Sequence, residues 1–159
     1  MKKILFVVTT LFALFSCDLE YEENVDFMVA PYSFVKNFYV GETNPSYLII
    51  NNYSSFDSLF GVGYVMDMDT SKLITEEKME DGFVLSIIYQ GNDIHEFNIE
   101  KITLAGTKLL IYYTSEVVDS NASWYCNCRV ITLIENCDYK SILLFENGNL
   151  LQDVLIKEL

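Results

Sequence analysis

Three cysteines, Cys126, Cys128 and Cys137, and a single histidine, His95, are the residues of this chain best suited to chemistry. The spacing Cys126-x-Cys128 puts two thiols on one face of a strand, about 7 Å apart, so a bond between them requires distortion. The turn-forming run 136–138 offers Cys137 a way back along the sheet. A disulfide from Cys137 to Cys126 or Cys128, with one thiol left over, is therefore the leading expectation. Three reduced cysteines buried as small apolar side chains are the second reading. A C-x-C…C metal site needs a fourth ligand, and His95 stands far off in sequence, so neither a metal nor a cofactor is expected.

Asp67-Met68-Asp69-Thr70-Ser71 begins as a calcium loop does, with oxygen ligands at alternate positions. It then departs from that pattern, because Lys72 stands where a glycine is required and Lys78 where a bidentate glutamate belongs. A solvated acidic loop is expected there. His95, between Ile94 and Glu96, has no orienting partner placed by sequence, which leaves a Ser-His or Cys-His mechanism incomplete. No nucleophile elbow, zinc-protease pair, Walker loop or dinucleotide turn occurs in the chain. The domain is accordingly expected to be non-catalytic.

The state of those thiols depends on the compartment, and the N-terminus speaks to that. Lys2 and Lys3 precede an apolar run over 4–14, the pattern of a signal peptide. Spanning a bilayer takes roughly 20 apolar residues, and this run is too short to remain as a membrane helix. The residues Leu14-Phe15-Ser16-Cys17 resemble the bacterial lipobox, with an aliphatic residue at −3 and a small one at −1 before the cysteine. That resemblance implies cleavage before Cys17, a thioether from its thiol to diacylglycerol, and acylation of its freed amine by a chain such as palmitate. Each buried methylene contributes about 0.8 kcal/mol, so two or more chains anchor the protein stably.

Asp18, Glu20, Glu22 and Glu23 follow almost at once. This acidic run resembles the surface-export signal of Bacteroidota lipoproteins, which implies display on the outer face of the outer membrane; a solvated tether is the alternative. The expected organisation is a signal peptide over 1–16, a lipidated acidic tether over 17–31 and a single domain over 32–159, located in the cell envelope at the outer membrane.

The chain of 159 residues carries 10 Lys and Arg against 23 Asp and Glu, a formal charge of −13. Nucleic acid is excluded as a partner, since its phosphates call for a basic footprint. Docking on anionic headgroups by charge is excluded for the same reason. With 51% hydrophobic residues, including 11 Phe and 11 Tyr, the chain has ample material for a packed core.

Segments 32–40, 47–51, 83–89, 97–104, 109–114, 124–134 and 141–145 are rich in aromatic and β-branched residues and read as strands. Between them lie turn signals, of which Ala105-Gly106 and Asn147-Gly148 suit hairpins. One helix is expected over 54–60, with Ser54 as N-cap, Asp57 in the capping-box position and Gly61 as the left-handed C-terminal residue. Residues 75–80 read as a second short helix or as a loop. The fold class expected is mainly β (α+β), an antiparallel meander or sandwich-like sheet with one short helix packed on it.

The order of a strand and Asn-rich turn at 49–53, a short helix carrying Phe56-Asp57-Ser58-Leu59-Phe60-Gly61, a strand at 83–89 and a long hairpin over 99–113 is similar to the PrcB-like domain. That family is named for a protease-complex accessory protein. The resemblance implies an accessory or inhibitory subunit of an envelope protease or assembly complex, with no catalytic residues. Asp57-Ser58-Leu59 also resembles a Bacteroidota O-glycosylation acceptor, which would put sugar on Ser58; a helix first turn explains the same residues. The other expectation is a binding module for a protein or glycan, presenting aromatics such as Tyr112, Tyr113, Trp124 and Tyr125. Alternation puts Tyr112 and Tyr113 on opposite faces of one strand.

Overall fold

The computed structural model describes residues 21–36 and 39–159. The expected signal peptide, Cys17, Asp18 and Glu20 lie outside the described residues. The chain is mainly β, in the order β1 (Glu22–Asn24), β2 (Phe27–Val29), β3 (Ser33–Val35), β4 (Ser46–Ile50), α1 (Tyr53–Leu59), β5 (Phe60–Val62), a 3-10 turn (Thr70–Lys72), α2 (Glu76–Glu80), β6 (Gly82–Gly91), β7 (Ile94–Ala105), β8 (Lys108–Asp119), β9 (Cys126–Glu135), β10 (Ser141–Glu146), β11 (Asn149–Leu150) and β12 (Ile156–Glu158). Sheet one runs β1-β7-β8-β10-β11 and sheet two runs β12-β4-β6-β9-β2, while β3 and β5 form a separate ribbon.

The sheets face each other across a core in which Ile49, Leu85, Ile87 and Ile134 of sheet two meet Ile99, Ile102, Leu109 and Ile111 of sheet one. The opposite face of sheet two is buried as well. Leu48, Ile50, Val84, Ile88 and Ile131 pack there under Phe56, Phe60, Ile74 and Met79, which come from the two helices and the segments beside them. With cover on both faces, β6 has no polar side to show, and the stretch from Gly82 to Ile88 is buried without interruption.

The expected strands are present, the one expected over 32–40 only as the short β3, and the sandwich-like arrangement with them. Two pairings are parallel, β8 with β10 and β4 with β12. The first arises because the chain crosses to the other sheet between β8 and β9 and again between β9 and β10, so β10 returns beside β8 pointing the same way. Asn147 (φ 50°) and Gly148 (φ 79°) both occupy the left-handed region in the hairpin between β10 and β11, as a two-residue turn of the primed kind requires. In the hairpin between β7 and β8, Ala105 pairs with Lys108, so the turn is Gly106-Thr107, one residue later than expected.

Three local expectations need correction. The N-cap of α1 is Asn52, whose side-chain oxygen accepts from the Ser55 amide at 2.8 Å, and not Ser54. Asparagine caps at least as well as serine and stands where the chain is still extended. Gly61 supplies no left-handed residue. It lies in β5, where an added Cβ would come within 2.4 Å of the Phe34 ring, so the glycine serves close approach. The domain also begins earlier than residue 32: β1 pairs with β7, β2 pairs with β9, and Val25, Phe27 and Val29 pack against the inter-sheet core. The shorter second helix forms as α2, with the Thr75 hydroxyl accepting from the Lys78 amide.

Candidate functional site

The sandwich has two chemically different ends. At the near end the chain enters: Glu22 pairs with Ala105, and Gly82 pairs with Glu135. At the far end Gly91 pairs with Cys126 and Ile94 with Asp119. The twelve residues of β7 separate the two by about 35 Å.

The far end gathers most of the reactive side chains. Cys126 and Cys128 share the inward face of β9, and their sulfurs lie 3.6 Å apart, in contact but unbonded. Cys126 Sγ is 3.1 Å from the Gly91 carbonyl and 3.3 Å from that of Asp93, to which its thiol can donate. The His95 amide donates to Cys128 Sγ at 3.2 Å. The sulfurs are thus held by the backbone of the β6–β7 corner. Tyr89 lies opposite Cys128 in register and packs its ring on His95, with centroids 3.9 Å apart. Gly91 leaves room for that ring, since an added Cβ would meet the Tyr89 hydroxyl at 2.8 Å. The loop between β8 and β9 is strapped over this corner by the Ala122 amide on the Asn92 carbonyl at 2.7 Å and the Asn121 amide on Asp93 Oδ1 at 3.0 Å.

Burial, and then the neighbouring Cys128, push the Cys126 thiol above its ordinary range. Burial and the Asp93 carboxylate do the same to the Tyr89 hydroxyl. Both groups are therefore protonated near neutral pH. His95 Nδ1 reaches Ser115 Oγ at 3.4 Å, and its ring stacks on Phe97 with centroids 5.8 Å apart. Its ring is thus an aromatic spacer between Tyr89 and Phe97.

Cys137 is elsewhere. It follows the end of β9, which Cys126 begins, and a strand of that length puts it some 25 to 30 Å from the other two thiols. The expected disulfide from Cys137 to Cys126 or Cys128 is excluded by this separation, and all three cysteines are free. Cys137 instead lines a cavity of about 330 Å³ at the near end, beside Glu23 and Asp138. The turn at 136–138 leads onward into β10 and not back along β9.

The aromatics divide sharply. Tyr113 is fully buried, its hydroxyl 3.1 Å from that of Tyr47, so it belongs to the core. Tyr112 faces outward from sheet one, stacked on Phe145 with centroids 4.5 Å apart and with Lys101 Nζ 4.1 Å from its ring centre. Trp124 and Tyr125 stand in the far-end loop, 60% and 66% exposed. Two residues of the acidic run are built into the sheet: Glu22 accepts from Lys101 at 3.2 Å and Thr103 at 3.0 Å, and these hydrogen bonds hold its carboxyl below the usual range. Glu23, next to it in β1, is exposed. Ser58 is exposed in α1, where its hydroxyl donates to the Ser55 carbonyl at 2.7 Å. In the acidic loop, Asp69 turns back to accept from the amide and hydroxyl of Ser71, capping the 3-10 turn.

Sequence reasoning singled out Cys126, Cys128 and His95 but not their meeting, nor Tyr89 and Asp93 beside them. Their convergence depends on the register of β6 on β9 and on the corner after Gly91, which no local pattern carries. Set against protein-family models, curated proteins and solved structures, the chain matches none of them.

Proposed function

We propose that this chain is an outer-membrane lipoprotein, anchored by lipid on Cys17, whose β sandwich is a non-catalytic binding module for a protein or glycan. The polarity of the domain is the observation that carries this reading. β1 begins at Glu22, so the link from Cys17 can reach at most about 18 Å, and it joins the end of the sandwich opposite to Trp124 and Tyr125. An anchor at one end and exposed aromatics at the other is a sensible layout for presenting a contact surface away from a bilayer. Trp and Tyr are also the residue types that most often dominate binding energy when a partner desolvates them.

The anchor is tested by Cys17→Ser. Radiolabelled acyl chains should no longer be incorporated, and the protein should leave the membrane fraction; unchanged membrane retention would overturn the lipoprotein reading. For the binding surface, pull-down from detergent-solubilised envelopes with the Trp124→Ala/Tyr125→Ala variant should lose the partner that the parent chain recovers. Recovery of a protease or assembly complex would make the module an accessory or inhibitory subunit, the role implied by the resemblance to the PrcB-like domain.

A further inference from the structure

We propose that Cys126 and Cys128 form a thiol–disulfide exchange site, a dithiol that opens and closes by reaction with a disulfide-bearing small molecule or protein. The two sulfurs already touch at 3.6 Å, and Cys137 is out of reach of both. Cysteines two apart on a strand have Cα atoms roughly 6.6 Å apart, at the upper edge of what a disulfide tolerates. A bond here therefore forms under strain, and strained disulfides are the readily reduced, exchanging kind. The two positions also differ in a way that assigns roles. Cys126 is half-buried and meets solvent at the mouth of the sandwich, whereas Cys128 is buried. The His95 amide aimed at Cys128 Sγ supplies a hydrogen bond that steadies negative charge on that sulfur as it reacts.

The chemistry balances as follows. The Cys126 thiolate attacks one sulfur of the incoming disulfide, forming a mixed disulfide and expelling the first thiolate. Cys128, giving its proton to solvent, attacks Cys126 Sγ and expels the second. The protein dithiol is oxidised by two electrons, and the incoming disulfide is reduced to two thiols that take up the two protons released. Because burial holds Cys126 as a thiol, the rate should still be climbing as pH passes the ordinary thiol range, about 8.5.

The site is tested on the full chain carrying Cys17→Ser, with oxidised glutathione as the probe, followed by denaturation, alkylation and tryptic mass spectrometry. Cleavage at Lys108, Arg129 and Lys140 separates the peptide holding Cys126 and Cys128 from the one holding Cys137. The expected result is loss of two of the three alkylatable thiols, both in the first peptide, which becomes lighter by two hydrogens and recovers with dithiothreitol. In Cys128→Ser the reaction should stop at glutathione bound to Cys126. Two alkylated thiols in the first peptide after treatment of folded protein would overturn the proposal, as would equal glutathione capture at Cys137 and at Cys126 in Cys128→Ser. These outcomes do not depend on the anchor, so failure here leaves the lipoprotein reading standing and the reverse also holds.

Discussion

Sheet one and sheet two share the inter-sheet core, but only sheet two is buried on its other face as well. In β6 the side chains pointing away from the partner sheet, Val84 and Ile88, are as inaccessible as those pointing toward it. In β8 and β10 the outward positions carry Tyr112 and Phe145, half-buried and stacked on each other in the open. Substitution is accordingly better tolerated on one sheet than on the other. Sheet two is the spine of the molecule, held from both sides, whereas the outer face of sheet one is held only by its neighbours along the sheet.

Substitutions on the two faces should separate that contrast. The largest effect is expected from Ile88→Ala in sheet two, which removes a fully buried side chain under α1 and α2 and should cost about 2–5 kcal/mol in a urea titration. Leu150→Ala, on the outer face of sheet one and 46% exposed, should stay within roughly 0.5 kcal/mol. Equal losses from the two would abolish the distinction.

A smaller effect belongs to the hydroxyl pair inside the shared core. Tyr113→Phe leaves the Tyr47 hydroxyl buried without its partner and should cost about 1–3 kcal/mol. Burial raises the pKa of both hydroxyls above the ordinary tyrosine value. The folded state therefore keeps protons that the unfolded chain releases, so stability is intact below about pH 10 and falls as pH rises beyond it. Denaturant midpoints measured from pH 8 upward should show that decline, and it should be shallower in the Tyr47→Phe/Tyr113→Phe double variant.

The smallest effect is expected at the edge of sheet one. Glu22→Gln breaks an exposed pair with Lys101, and thermal denaturation at neutral pH should barely distinguish it from the parent. Glu22 titrates below the usual carboxylate range when folded, so whatever it contributes is present above the unfolded pKa and fades as pH falls through the folded one. A large loss at pH 7 would mean that β1 holds the sheet together, not merely extends it.

Much of this architecture can be anticipated from local pattern, and the failures are instructive. Strands β6 to β10 announce themselves through aromatic and β-branched residues, and in β6 only Ser86 interrupts the apolar residues between Phe83 and Ile88. β1 is hard to read because it contains Glu22 and Glu23 of the acidic run, whereas the alternation of Val25, Phe27 and Val29 marks the stretch around β2. Local pattern does not separate the cap at Asn52 from Ser54 two residues on, since both residue types cap well. At the far end, Cys126 and Cys128 were visible as a pair, but Cys137 looked available to them and is not.

Composition and short-range preference are enough to specify a β-rich, acidic domain with a primed turn at Asn147-Gly148, because those choices depend on φ and on side-chain branching within a few residues. Long-range packing sets the rest: β10 lies parallel to β8, sheet two is sealed on both faces, and Cys126 meets Cys128 beneath the β6–β7 corner while Cys137 lies at the opposite end. Those outcomes come from strands distant in sequence competing to bury the same apolar faces. Loop closure penalises the alternatives only weakly, so register and burial, summed over the whole sandwich, make the selection.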